Sequence, residues 1–214
     1  PLANRFIHLE LRVDFADWSN WALKNGVHPD VVGYLTFAKN DLNNFDPKVH
    51  DRSFATPRSW SFVSEMLTDE LSEGTMSDIV AGCVGEGTAI KFMAHRKIAA
   101  KLPDPTEILA GKVKDLKVKE VSAMYSLTTS LCYELKAAFE NLSKEKKLDD
   151  WHPMCENFIQ YMMDNFEPEM VIMGAHTALK IHELPFQHKK LKNFPEFFKR
   201  SEEHTSELQS RIRI

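Results

Sequence analysis

The chain has 214 residues, of which 43% are hydrophobic and 27% are charged, as in an ordinary globular protein of one domain or two small ones. The formal net charge of −4 gives no reason to expect nucleic acid as the main partner, and no apolar run is long enough to span a membrane. Three widely separated cysteines, Cys83, Cys132 and Cys155, favour reduced thiols in a cytoplasmic protein over a disulfide framework.

The two ends of the sequence indicate a piece of a longer protein. The chain begins Pro1-Leu2-Ala3-Asn4-Arg5-Phe6 without an initiator Met, and it lacks the basic and apolar regions of a signal peptide. At the other end, the peptide from Arg200 to Ser210 resembles the in-frame translation of a sequencing-adapter oligonucleotide. We therefore interpret residues 200–214 as adapter-derived and exclude them from the prediction of the fold.

Residues 1–12 contain the one predicted strand. The segment Phe6–Leu11 alternates apolar and polar residues, as a half-buried strand does. A single strand leaves its backbone donors and acceptors unpaired, so we expect its partner strands to lie upstream. The rest of the fold is predicted to be mainly α, because the chain combines only eight glycines with long helical periodicities.

Residues 13–101 are predicted to be helical, beginning with two short helices. Asp14 is a predicted N-cap, and Gly26 offers the left-handed conformation that ends a helix. Pro29 suits the first turn of the second helix, and the polar segment from Asn40 to Ala55 is predicted to be a loop. The buried face of the first helix is predicted to consist of Phe15, Trp18, Trp21 and Ala22.

Two longer helices follow in the same segment. Thr56 and Pro57 are the predicted cap and first residue of the third helix, and Ser77 is the predicted cap of a fourth that runs to about Ala100. The glycine-rich segment Gly82–Gly87 is interpreted as a close helix-packing point or a kink. The buried stripe of the third helix is predicted to be Trp60, Val63, Met66, Leu67 and Leu71.

The segment 102–116 is predicted to be a linker, because Leu102-Pro103-Asp104-Pro105 interrupts the helical pattern. Residues 117–199 then have the pattern of a second helical region. Its predicted helices cover about 117–142, 150–165 and 167–181.

Two arginines have notable contexts. Arg5 lies in Pro-Leu-Ala-Asn-Arg-Phe directly before the predicted strand, and Arg58 lies in Ala-Thr-Pro-Arg-Ser-Trp at the first turn of a predicted helix. Either one alone is more typical of a surface charge. Their order and contexts together carry more information than either residue does.

In this order, the two arginines resemble the second half of an AAA+ ATPase module of the MoxR-like group. In that group the core sheet ends with a Leu-x-x-Arg-Phe segment and a strand, and a helical lid follows with a Pro-Arg pair at the start of its third helix. Residues 1–101 are similar to this layout, although Asn4 stands where many relatives carry Asp. The segment from Leu102 to Leu109 resembles the end of the module in bacterial and phage members, and residues 117–199 resemble their C-terminal extension.

The resemblance implies a fold and a role for each arginine. The fold would be a remnant of the AAA+ core in residues 1–12, a helical lid in 13–101 and an α-helical extension. Arg5 matches the arginine finger that one subunit supplies to its neighbour, and Arg58, beside Pro57, matches the sensor-2 arginine that contacts the nucleotide. A planar guanidinium suits this task because it holds two phosphoryl oxygens at once.

The resemblance also implies partners. The parent protein would bind ATP and Mg²⁺, assemble as a homo-oligomeric ring, expected to be a hexamer, and remodel other proteins. Relatives often work beside von Willebrand factor A-type proteins, so a partner of that type is expected, whereas no nucleic acid or membrane partner is.

The sequence lacks the phosphate-binding loop Gly-x-x-x-x-Gly-Lys-[Ser/Thr], since its one Gly-Lys pair, Gly111-Lys112, is followed by Val113. We therefore expect this chain alone not to hydrolyse ATP. ATP hydrolysis is expected only of the longer parent protein. The nine histidines show no ligand spacing, so no metal site is predicted. The alternative interpretation is a free-standing, all-helical interaction or adaptor protein without nucleotide chemistry.

Overall fold

The computed structural model describes residues 7, 12–48, 52–68, 70–186, 191–192, 194–197 and 199. Helices cover most of this part of the chain and no strand occurs in it, which confirms the mainly α prediction. The predicted strand at Phe6–Leu11 lies outside the described residues apart from the exposed Ile7, as do Arg5 and the segment 200–214. None of the described helices is both long and apolar enough to cross a lipid bilayer.

Nine α-helices have both ends in the described part of the chain, and residues 194–197 and 199 are also helical. The nine are α1 (Phe15–Lys24), α2 (Pro29–Phe37), α3 (Pro57–Met66), α4 (Glu73–Val84), α5 (Glu86–Ala99), α6 (Pro105–Leu109), α7 (Val121–Lys144), α8 (Leu148–Asn165) and α9 (Pro168–His176). A 3-10 helix (Lys39–Leu42) lies at the start of the predicted loop after α2, and a π-helical segment (Thr177–Ile181) continues α9.

The predicted starts of the first three helices are confirmed. A carboxylate oxygen of Asp14 accepts a hydrogen bond from the Asp17 amide at 2.9 Å, which satisfies one of the free donors of the first turn of α1. Gly26 has φ +68°, so it supplies the left-handed residue just beyond the end of α1. Pro29 and Pro57 are the first residues of α2 and α3.

The predicted burial of Trp21 is wrong, because 47% of this residue is exposed. Successive helical residues are rotated by about 100°, so Trp21 lies about 60° beyond Trp18, outside a face centred between Ala22 and Leu23. That face instead buries Trp18 and Leu23 beside Ala22.

The predicted stripe of α3 is correct for Trp60 and Val63, which are fully buried. It is wrong for Met66, which is 54% exposed, and for Leu71, which is 40% exposed. Met66, the last residue of α3, lies about 120° around the helix from Trp60, and Leu71 lies beyond the end of the helix, so neither side chain is directed towards the core.

The predicted cap of α4 is wrong by one and a half turns. The Ser72 hydroxyl, not that of Ser77, accepts from the Thr75 amide at 3.2 Å, and α4 starts at Glu73. The predicted kink is confirmed at Gly85, where φ is +87° and α4 gives way to α5. A Cβ at Gly85 would lie 3.1 Å from the Ser53 carbonyl oxygen, so this glycine also allows a close approach.

Two apolar clusters form the core. The first belongs to α1–α5 and the segments between them, and the second belongs to α6–α9 and the residues that follow. The segment 102–116 contains α6, whose Ile108 and Leu109 are buried in the second cluster.

Helix α7 links the two clusters. A Cβ added to Gly33 of α2 would lie 2.1 Å from the Ser126 hydroxyl of α7, so the two backbones pack closer than any side chain allows. The Tyr133 hydroxyl of α7 donates to the Val27 carbonyl oxygen at 2.9 Å. Met173 of α9 packs against both clusters.

Candidate functional site

The first turn of α3 is fixed by a reciprocal pair of hydrogen bonds. The Thr56 hydroxyl accepts from the Ser59 amide at 3.1 Å, and the Ser59 hydroxyl accepts from the Thr56 amide at 2.8 Å. This capping box satisfies two free donors of the turn, and Pro57 fixes φ at its first position. The backbone that carries Arg58 therefore has a defined orientation.

Arg58 itself points away from the core. Its side chain is exposed and makes no ion pair with another described residue. It lines an open groove of about 610 Å³ that we call the α3 groove, formed by residues 52–54 and 56–59, Phe62 and the C-terminal end of α4 at Gly82 and Cys83. Pro57 lies in the wall of the same groove, beside Arg58.

A second arginine lines the α3 groove and was missed by the sequence analysis. Arg52 is exposed and lies six residues before Arg58, across a loop with no helical or strand periodicity that would relate the two. The one feature of the sequence that could have indicated Arg52 was the presence of a second arginine within six residues of Arg58. Arg5, the other predicted site residue, lies outside the described residues, so the structure does not relate it to the groove.

A polar network around Asp41 adjoins this region. The Tyr34 hydroxyl donates to the Asp41 carboxylate, and Lys91 Nζ lies 3.2 Å from it. The Trp60 indole nitrogen donates to the Asp41 carbonyl oxygen at 2.9 Å, which connects the network to α3. Burial and the neighbouring carboxylate raise the pKa of Tyr34, so this hydroxyl stays protonated and acts as a donor.

A buried histidine and serine lie where α5 meets α7. His95 Nε2 is 3.0 Å from the Ser126 hydroxyl, and Arg96 Nε lies 3.3 Å from a carboxylate oxygen of Asp30. Burial lowers the pKa of His95. A serine–histidine pair suits nucleophilic catalysis only where substrate reaches it, and His95 and Ser126 are 4% and 1% exposed. We therefore assign the pair to helix packing.

The cysteines and possible metal ligands add no second site among the described residues. Burial raises the pKa of the Cys132 and Cys155 thiols, which disfavours the reactive thiolate. No group of three or more His, Cys, Asp or Glu side chains in the described part of the chain is arranged to hold a metal ion. The exposed α3 groove, which Arg58 lines, is therefore taken as the candidate site.

Comparison with known proteins found no matching family model, no matching curated protein and no matching solved structure.

Proposed function

We propose that this chain is the helical lid and C-terminal extension of a MoxR-like AAA+ ATPase, in which Arg58 acts as the sensor-2 arginine. The observation that carries the proposal is the position of Arg58. It is an exposed cation on a rigidly capped first turn, beside an open groove, without an ion pair to another described residue. A guanidinium in this position is available to a phosphate.

The residues of the α3 groove suit the phosphate groups of the proposed ligand, ATP, but not its Mg²⁺ ion. Arg58 would hold phosphoryl oxygens of ATP through its planar fork of donors. Mg²⁺ would be held elsewhere in the parent, because the sequence has no phosphate-binding loop and the described residues contain no suitable ligand cluster. Bound ATP supplies the phosphoryl group, and Arg58 would orient and neutralise it while the angle of the lid follows the nucleotide state.

The remaining parts of the proposal follow from the family resemblance. Arg5 would act as a finger in the neighbouring subunit of a hexameric cytoplasmic ring, so that hydrolysis depends on assembly. The ring would remodel a partner protein, with a von Willebrand factor A-type protein as the expected partner.

The test is ATP hydrolysis by the parent protein, expressed from a reading frame that includes its phosphate-binding loop. We expect Arg58→Ala to lower kcat by about tenfold or more, because a preorganised donor to the developing charge is lost. Arg58→Lys should recover only part of the rate, since an ammonium group lacks the fork of donors. Lys119→Ala, which removes an exposed cation before α7, is the matched control.

Wild-type hydrolysis by Arg58→Ala would reject the sensor-2 assignment. A parent reading frame without a phosphate-binding loop would reject the ATPase proposal altogether. The second candidate, a helical adaptor, would then be favoured by the exposed Phe37 and Val121, which line an open cavity of about 660 Å³. Exposed apolar side chains beside a cavity are typical of a surface that binds another protein.

A further inference from the structure

The α3 groove has an unusual distribution of charge for this chain. The whole protein has a net charge of −4, yet the described residues that line the groove include two arginines and no carboxylate. Neither the Arg52 nor the Arg58 side chain forms an ion pair or a hydrogen bond with another described residue. No described carboxylate lines the groove to neutralise these two positive charges, so an anion in the groove would be attracted by both.

The backbone next to Arg52 is held firmly although its side chain is exposed. The Ser53 hydroxyl donates to the Ala81 carbonyl oxygen of α4 at 2.8 Å. Two residues further on, the Ala55 amide donates to the side-chain oxygen of Asn44 at 2.7 Å, and the Asn44 amide returns a bond to the Ala55 carbonyl oxygen at 3.1 Å. The loop is thus anchored on one side by α4 and on the other by Asn44.

This anchoring holds Arg52 in the same groove as the capped first turn of α3. Ser59 strengthens the connection, because its hydroxyl also donates to the Phe54 carbonyl oxygen at 3.1 Å. The two guanidiniums are therefore presented by two rigid pieces of backbone that are bonded to each other. Little conformational entropy of the backbone remains to be lost when both bind one ligand.

We propose that Arg52 is a second phosphate-binding side chain, which binds the same polyphosphate as Arg58 in the α3 groove. The ligand class is the triphosphate of a nucleotide, so the proposal rests on the proposed function and extends it. The apolar part of the groove at Phe54 and Phe62 gives the non-phosphate portion of such a ligand a surface to contact. A chain of several phosphates suits two separate guanidiniums better than a single phosphate does, because each fork binds its own oxygens.

The first test titrates the full chain with inorganic tripolyphosphate at low ionic strength and measures binding by calorimetry. We expect Arg52→Ala and Arg58→Ala each to weaken binding by about tenfold, as expected for a lost charge-assisted hydrogen bond. Arg52→Lys should fall between Arg52→Ala and the wild type, because it keeps the charge and loses the fork. Lys119→Ala, an exposed cation outside the groove, should bind like the wild type. Circular dichroism checks that each variant is folded.

Equal losses in Arg52→Ala and Lys119→Ala would show general charge attraction and overturn the proposal. Unchanged affinity in Arg52→Ala, with affinity lost in Arg58→Ala, would overturn it as well. So would failure of the wild type to bind tripolyphosphate at low salt.

The same variants in the parent ATPase separate this inference from the proposed function. If hydrolysis requires Arg58 while Arg52→Ala keeps the wild-type KM and kcat, the ATPase proposal stands and the role of Arg52 is refuted. If tripolyphosphate binding requires both arginines while hydrolysis is indifferent to Arg58, the groove is a polyphosphate site and the sensor-2 assignment is refuted.

Discussion

At the scale of single residues, two positions show how tightly the helices are packed. Gly33 of α2 lies against the backbone of α7, and a Cβ there would be 2.5 Å from the Ser126 nitrogen. Gly82 of α4 is the opposite case, because a Cβ would meet nothing within 4 Å. The two glycines therefore differ in whether a methyl group has space, although both lie inside helices.

We predict that Gly33→Ala destabilises the protein by about 3 kcal/mol or more, since backbone atoms of α7 must move to admit the methyl group. Gly82→Ala, the matched control, should be neutral or should stabilise the protein by up to about 1 kcal/mol, because alanine is the better helix former. Urea unfolding followed by circular dichroism measures both. A Gly33→Ala protein as stable as the wild type would mean that α2 and α7 are further apart.

The lowered pKa of His182 predicts how the stability of the protein depends on pH. Desolvation lowers its pKa from 6.5 to about 4, with Lys136 adding to the effect and Glu140 opposing it. Below pH 6.5 the unfolded state therefore binds a proton that the folded state does not, so stability falls as the pH drops from 6.5 to about 4. Above pH 6.5 this residue contributes no pH dependence.

In His182→Gln the fall in stability between pH 6.5 and 4 should be smaller than in the wild type, because one of the groups that causes it is gone. The measurement is the free energy of unfolding in urea at several pH values. The difference between the two proteins above pH 7 is the control, since it should not change with pH there. Parallel curves over the whole range would contradict the prediction.

At the scale of elements, the capping box of α3 determines how the α3 groove is presented. Thr56 provides both the hydroxyl that caps the helix and the backbone amide that bonds to Ser59. The first turn carries Arg58, so loss of the cap would both destabilise the helix and allow the side chain more freedom.

Thr56→Ala should lower the free energy of unfolding by about 1 kcal/mol, the usual effect of losing an N-cap hydroxyl. Thr56→Ser keeps the hydroxyl and should remain within about 0.5 kcal/mol of the wild type. Ser61→Ala is a control within the same helix, because its hydroxyl bonds to the Pro57 carbonyl oxygen and does not cap the helix. Thermal unfolding distinguishes the three variants, and equal effects of Thr56→Ala and Ser61→Ala would contradict the capping role.

At the scale of the whole molecule, the two apolar clusters are joined rather than merely adjacent. Helix α7 contributes to the second cluster, yet its Ser126 contacts α2 and its Tyr133 bonds to Val27 in the first. Met173 is shared by both clusters. Opening one cluster therefore exposes part of the other, which favours cooperative unfolding.

We predict that the slowest-exchanging backbone amides of α2 and of α8 report the same free energy of opening to within about 1 kcal/mol, because both open only when the whole chain unfolds. Hydrogen exchange measured by mass spectrometry at increasing urea tests this. A much lower opening energy for α2 alone would indicate that residues 13–101 unfold separately, and would support a domain boundary at 102–116.

The helical class and the starts of the first three helices were predictable from the sequence, because caps, proline positions and left-handed glycines act within four or five residues. Asp14, Gly26, Pro29 and Thr56 have their predicted roles for that reason. A local prediction was wrong at α4. Ser72 and Ser77 are both chemically able to cap a helix, and the sequence pattern favoured Ser77 although Ser72 is the cap.

Contacts between residues that are far apart in the chain were not predictable from the sequence and follow from the tertiary structure. It placed Gly33 against Ser126 and Arg52 in the groove of Arg58, and it left Trp21 and Met66 exposed. These outcomes depend on how helices far apart in sequence pack, and a helical period specifies a face without specifying its partner. The groove with two arginines and no carboxylate is therefore a property of the folded chain, although each arginine is visible in the sequence.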